Sequence, residues 1–125
     1  MNTLPRIGLM LGDMTGIGPE INAKVLAAGT FKPLARIVVI GDARVLDLGI
    51  KDARVELKWK NYADIDAISF APINKGVTVT AGLKTVFTTP AHGTAFDIVG
   101  QGKADTGALE QALRIATKMA ATKMQ

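Results

Sequence analysis

The sequence predicts an α/β fold: a mainly parallel sheet of about five strands flanked by helices, in Rossmann-like or flavodoxin-like layering. Three observations carry that reading. Short apolar runs recur along the chain and end in Gly/Asp turns, as buried parallel strands do. Two longer segments repeat apolar residues with helical spacing between start and stop signals. Strand, turn and helix alternate, which is the grammar of a parallel sheet with crossover helices. At 125 residues the chain has the usual size of one domain, so residues 1–125 are expected to share one core.

The elements follow in order. Ile7 to Leu11 (IGLML) reads as a buried strand running into a Gly/Asp/Thr turn. Gly18-Pro19-Glu20 starts a helix, with Pro at the first position and an acid in the first turn. Ile21, Val25 and Ala28 share its inner face, and Gly29 ends it. Ala35 to Ile40 is a second buried strand closed by Gly41-Asp42. Ala43 to Leu48 leaves room for a short helix before Gly49. Arg54 to Trp59 alternates apolar with charged residues, the pattern of a half-exposed edge strand. Ala67 to Ala71 (AISFA), Gly76 to Gly82 and Lys84 to Thr88 complete the strands. Asp105 or Thr106 caps a last helix whose stripe is Leu109, Ala112, Leu113, Ala116, Met119 and Ala120. Two long helices and a short one cover both faces of five strands poorly. An uncovered sheet face is therefore expected, open to homo-oligomerisation.

Composition narrows the function. Fifteen basic against 11 acidic residues give a net charge of +4, but aromatics make up only 5%. The basic residues are scattered rather than striped, which argues against nucleic-acid binding. No apolar run is long enough to span a membrane, and the start lacks the regions of a signal peptide. With no cysteine, disulfides and thiolate chemistry are out, and a reducing cytoplasmic setting is the default expectation.

Two turns carry the chemistry. Leu11 to Glu20 (LGDMTGIGPE) joins the first strand to the first helix, and its Asp13, Gly16 and Gly18 form a candidate ligand turn. Thr89 to Asp105 (TPAHGTAFDIVGQGKAD) holds the chain's one histidine and precedes the last helix. Such a loop can fold backbone N–H groups and a helix start around an anionic or nucleotide ligand. Both turns are expected at the carboxyl ends of strands, where ligands bind in open α/β sheets. The candidate cofactor-binding residues are Asp13, Gly16, Gly18, His92, Gly93, Thr94, Ala95, Asp97, Gly100 and Asp105. Each has a plainer alternative. His92 can hold its own loop or touch a ligand. Asp97 reads first as a cap for neighbouring N–H groups and second as a partner for a ligand hydroxyl, and the glycines serve tight turns. Trp59 and Tyr62 read as edge packing.

These two segments resemble the GDxxGIGPE turn and the HGTAFDIxGxGxAD loop of the 4-hydroxythreonine-4-phosphate dehydrogenases, the PdxA family. Isopropylmalate and isocitrate dehydrogenases carry a related loop that grips the adenosine end of NAD. The resemblance implies NAD as cofactor and a role in pyridoxine biosynthesis. It also implies a divalent metal for oxidation of a secondary alcohol and decarboxylation. Ala71 to Lys75 (APINK) resembles an A/GPxxK segment of the family. There the likeness breaks off: Lys75 runs directly into Gly76, where the family has a long central stretch with three metal-binding histidines. By the resemblance His92 belongs to the nucleotide loop, so no metal site and no catalytic residue is expected. Thr78 and Phe87 stand where many members have an Asn and an Arg for the substrate phosphate. Lys75 reads as a solvated lysine. The expectation is a nucleotide-binding module trimmed, naturally or by engineering, with a junction near 75–76, not catalytic by itself. The alternatives are an active dehydrogenase completed by a partner chain, and a purely structural, self-associating scaffold.

Overall fold

The computed structural model describes residues 4–62, 85, 88–90 and 94–123. Strand β1 (Arg6–Met10) and strand β2 (Arg36–Ile40) pair in parallel, with Ile7 opposite Ile37 and Met10 opposite Ile40. Helix α1 (Gly18–Ala28) connects them, and helix α2 (Ala43–Ala53) follows β2. A 3-10 turn (Phe96–Ile98) and helix α3 (Gly107–Lys123) complete the described elements. The α/β class with a parallel sheet is thus present. The expected strands at 67–71 and 76–82, and most of that at 84–88, lie outside the described residues, as do Lys75, Thr78 and Phe87. The junction near 75–76 lies there too.

The core forms where β1, α1 and α3 meet. Ile7 and Leu9 alternate inward from β1, and Ile21 and Val25 face them from α1. Leu109, Leu113 and Ala116 close the cluster from α3, with Phe31 and Ala35 below. Each large aliphatic side chain so buried contributes about 1.5–3 kcal/mol. The Arg114 guanidinium lies 5.6 Å from the centre of the Phe31 ring, tying the outer side of α3 to the loop after α1.

Helix α1 starts and stops as expected. Pro19 sits in its first turn, and Gly29 ends it at φ 70°, its N–H bonded to the Leu26 carbonyl. Ala28, expected on the inner face, is exposed. Helix α2 corrects the sequence reading, because it runs straight through Gly49 for 11 residues. Gly49 is a contact point rather than a stop. A Cβ there would lie 2.3 Å from the Pro19 carbonyl oxygen, so only glycine lets α1 and α2 approach this closely. The helix starts on Asp42, whose side chain accepts the Arg44 N–H, and ends at Arg54 with φ 56°.

Three further expectations change. Val55 to Tyr62 carries no regular secondary structure, so the edge strand at 54–59 is absent. Its alternation survives only as burial, with Val55 and Leu57 half-buried between exposed Glu56 and Lys58. Strand β2 is not buried throughout: Ile37 to Ile40 are half-exposed. Met119 is 40% exposed, so the α3 stripe ends in the core at Ala116, with Ala120 packing beside it.

Candidate ligand-binding turns

The first turn leaves β1 at its carboxyl end. The Leu11 N–H still reaches the Ile40 carbonyl at 3.3 Å. Asp13 then folds the chain back: one carboxylate oxygen accepts the Thr15 N–H at 2.8 Å and the Thr15 hydroxyl at 2.7 Å. These two bonds, the backbone one foremost, hold the Asp13 carboxyl below its ordinary value. The Gly16 N–H donates to the Asp13 carbonyl. A Cβ on Gly18 would lie 2.7 Å from the Leu11 carbonyl oxygen, so glycine is what lets α1 begin directly against the strand end. Asn22 braces the same corner, its amide donating to the Gly18 carbonyl at 2.9 Å and to the Met10 and Leu11 carbonyls at 3.3 Å.

The second turn is built on left-handed backbone. Ala95 at φ 46° starts the 3-10 turn, and Gly100 and Gly102 follow at φ 74° and 71°. The Gln101 N–H bonds the Ile98 carbonyl, and its side-chain amide donates to the Asp97 carbonyl at 2.7 Å. At the far end Asp105 accepts the Gly107 N–H at 2.9 Å, and the Thr106 hydroxyl donates to Glu110 at 2.7 Å. Asp105 and Thr106 together therefore start α3, as the helix-start pattern predicts.

The two turns touch. The Ile17 N–H donates to the Thr94 carbonyl at 3.1 Å, and a Cβ on Gly16 would meet the same oxygen at 3.1 Å. Two segments some eighty residues apart thus share one corner of the fold. A second tie runs through α1. Glu20, 2% exposed, accepts the Ala104 N–H at 2.9 Å, while the Lys24 ammonium donates to the Gly102 and Ala104 carbonyls. Gly102 also packs against the end of α2, where a Cβ would lie 3.0 Å from the Asp52 carbonyl oxygen.

Among the sequence-predicted residues, Gly16 and Thr94 meet at this corner, with Gly18 and Ala95 close by along the chain. Asp13 and Asp97 are exposed, and Gly100 and Asp105 stand further along the loop. His92 and Gly93 lie outside the described residues. Sequence reasoning missed Glu20, Asn22 and Lys24. The signal was present: two polar side chains at 20 and 22 interrupt a buried stretch, and Glu20 and Lys24 stand one helical turn apart. It also missed Phe96, which is 64% exposed beside Asp97.

A cleft of about 400 Å³ lies elsewhere, along β2, between Val39, Leu26 and Phe31 on one side and Trp59 and Tyr62 on the other. It shares Leu11 with the first turn and none of the described residues of the second. Trp59 and Tyr62 are 39% and 45% exposed, and the Lys60 ammonium sits 5.0 Å from the centre of the Tyr62 ring. Among the described residues no group of His, Cys, Asp or Glu is placed to hold a metal ion, and no helix is long and apolar enough to cross a membrane.

Comparison with known proteins bears on the second turn. Residues 65–116 match the family described as pyridoxal phosphate biosynthetic protein PdxA, a span that takes in the second turn and the first half of α3. Over these residues the chain is similar to the PdxA family. A relative from Rhizobium meliloti is 47% identical over 116 residues, covering 81% of this chain and 33% of its own length. One from Pseudomonas aeruginosa is 47% identical over 81 residues, covering 65% of this chain and 22% of its own. Both carry the name 4-hydroxythreonine-4-phosphate dehydrogenase 2 provisionally. The 4-hydroxythreonine-4-phosphate dehydrogenase of Paracoccus denitrificans is 59% identical over 46 residues, 37% of this chain and 14% of its own length. The chain spans a third or less of the PdxA relatives just named. No solved structure matches it.

Proposed function

We propose that these 125 residues form a nucleotide-binding part of a PdxA-type dehydrogenase, one that binds NAD weakly and does not catalyse the reaction by itself. The observation that carries the reading is the Ile17–Thr94 hydrogen bond, which makes one corner of the two family motifs. The residues there suit a dinucleotide. Exposed Phe96 offers a ring face for a base, and exposed Asp97 offers acceptors for ribose hydroxyls. When bound, NAD supplies the hydride acceptor. The chain's own task is to hold and orient it.

The lack of catalysis is supported by the sequence, which has one histidine in all. The family chemistry as the resemblance gives it needs a Lewis acid on the alkoxide, held by histidines that have no counterpart here. Calorimetric titration with NAD tests the reading. Saturable binding in the millimolar range, worth only about −4 kcal/mol, is expected, with no NADH formed on adding a 4-phosphohydroxy-L-threonine-like substrate and divalent metal. Heat indistinguishable from dilution, from a folded sample, would refute it.

A second reading, self-association, is favoured by half-exposed β2 and the apolar cleft beside it. Light scattering across a hundredfold dilution decides it: a mass that falls on dilution supports association, and a constant monomer mass excludes it.

A further inference from the structure

Lys24 spends its whole donor set on three groups. An ammonium has three N–H donors, and here they meet the Ala104 carbonyl at 2.7 Å, the Gly102 carbonyl at 2.8 Å and a Glu20 carboxylate oxygen at 2.8 Å. That same oxygen accepts the Ala104 N–H. One ion pair on α1 therefore satisfies three backbone groups of a segment that has no helix or strand of its own. The Glu20 side chain is 2% exposed and that of Lys24 21%, so the pair is largely shielded from solvent. Burying such a pair is weak evidence for stability, because desolvation offsets much of the attraction. What it does supply is a single geometry for the groups it touches.

We infer that Glu20 and Lys24 are positioning residues for ligand capture: they hold the 94–105 loop in its binding geometry before a ligand arrives. This rests on the reading of that loop as part of an NAD site. Without the pair, binding has to order a loop containing two left-handed glycines, Gly100 and Gly102, and that ordering cost lowers affinity. With it, the loop meets the ligand already set.

The test compares the full 125-residue chain with Lys24→Met, Lys24→Arg and Glu20→Gln by amide hydrogen exchange and by NAD titration. Lys24→Met keeps the stem and removes the donors. It is expected to speed exchange at Ala104 and to weaken NAD binding, each by about tenfold, because the Gly102 and Ala104 carbonyls and the Glu20 carboxylate lose their charged donor. Lys24→Arg is expected to recover at least half of both effects on a logarithmic scale. Glu20→Gln retains an acceptor for Ala104 and is expected to fall between, giving a reading should Lys24→Met not fold. Unchanged exchange at Ala104 in both charge-removing variants overturns the inference. So does faster exchange with unchanged NAD affinity, which marks a structural brace and nothing more. Absence of NAD binding by the unaltered chain instead removes the functional reading and the capture role with it, while the exchange data still judge the loop-holding role.

Discussion

Ile17 and Thr94 are joined backbone to backbone, N–H to carbonyl, at 3.1 Å. Ile17 is buried just ahead of α1 and Thr94 is exposed in the second loop, so the bond links the core to the surface. Because a Cβ on Gly16 would press on the Thr94 carbonyl at 3.1 Å, the contact tolerates little bulk. Gly16→Val should part the two turns, speed amide exchange at Ile17 and lower NAD affinity, while α1 and α2 stay folded. Exchange at Ile17 equal to that of the unaltered chain would show the contact to be incidental.

Gly49→Ala sets two effects against each other. Alanine favours a helix interior over glycine by about 1 kcal/mol. The added methyl, however, would sit 2.3 Å from the Pro19 carbonyl oxygen and 2.5 Å from its carbon. Backbone cannot swing aside as a side chain can, and overpacking costs about 1–3 kcal/mol or more. A net loss of about 2 kcal/mol in urea unfolding is expected, and a gain in stability would contradict the packing described.

Asn22→Leu keeps the branched shape and removes the amide that donates to the Met10, Leu11 and Gly18 carbonyls. Leaving the buried Leu11 carbonyl without that donor should cost about 1–3 kcal/mol. The same unfolding experiment reads it, and the strand end around Leu11 should show the largest rise in exchange.

Asp42 makes stability depend on acid. The Arg44 guanidinium foremost, and then the Arg44 N–H, lower its carboxyl from 3.8 to about 2. A folded-state value below the unfolded one means that its contribution is fully present above pH 4 and fades as pH falls toward 2. Asp42→Asn should therefore melt a few degrees lower than the unaltered chain at pH 6, with the gap closing by pH 2. Thermal melts across that range check it, and a gap constant with pH would contradict it.

Much of this was legible in sequence because it depends on local chemistry. Pro19 and Gly29 bound α1 as their backbone preferences dictate, Asp105 and Thr106 start α3, and Gly100 and Gly102 take up positive φ. What escaped was long-range. Gly49 looks like a helix stop until Pro19 is found against it, and nothing in residues 43–53 alone reveals that partner. Arg54 to Trp59 alternates like a strand, but alternation records which side is wet and cannot supply a neighbouring strand. Glu20 reads as a first-turn acid complementing the helix dipole. Its bond to Ala104 spans eighty-four positions and shows only once the chain is folded. The candidate site was legible as two motifs, whereas their contact through Ile17 and Thr94 was not.

If the two turns act as one site, an amide-resolved NMR titration of the 125-residue chain with NAD should give saturable shifts with one common affinity at Asp13 to Gly18 and at Thr94 to Asp105, leaving the β2 cleft around Trp59 and Tyr62 unmoved. A dispersed, folded spectrum with no shifts, or with shifts confined to that cleft, would contradict it.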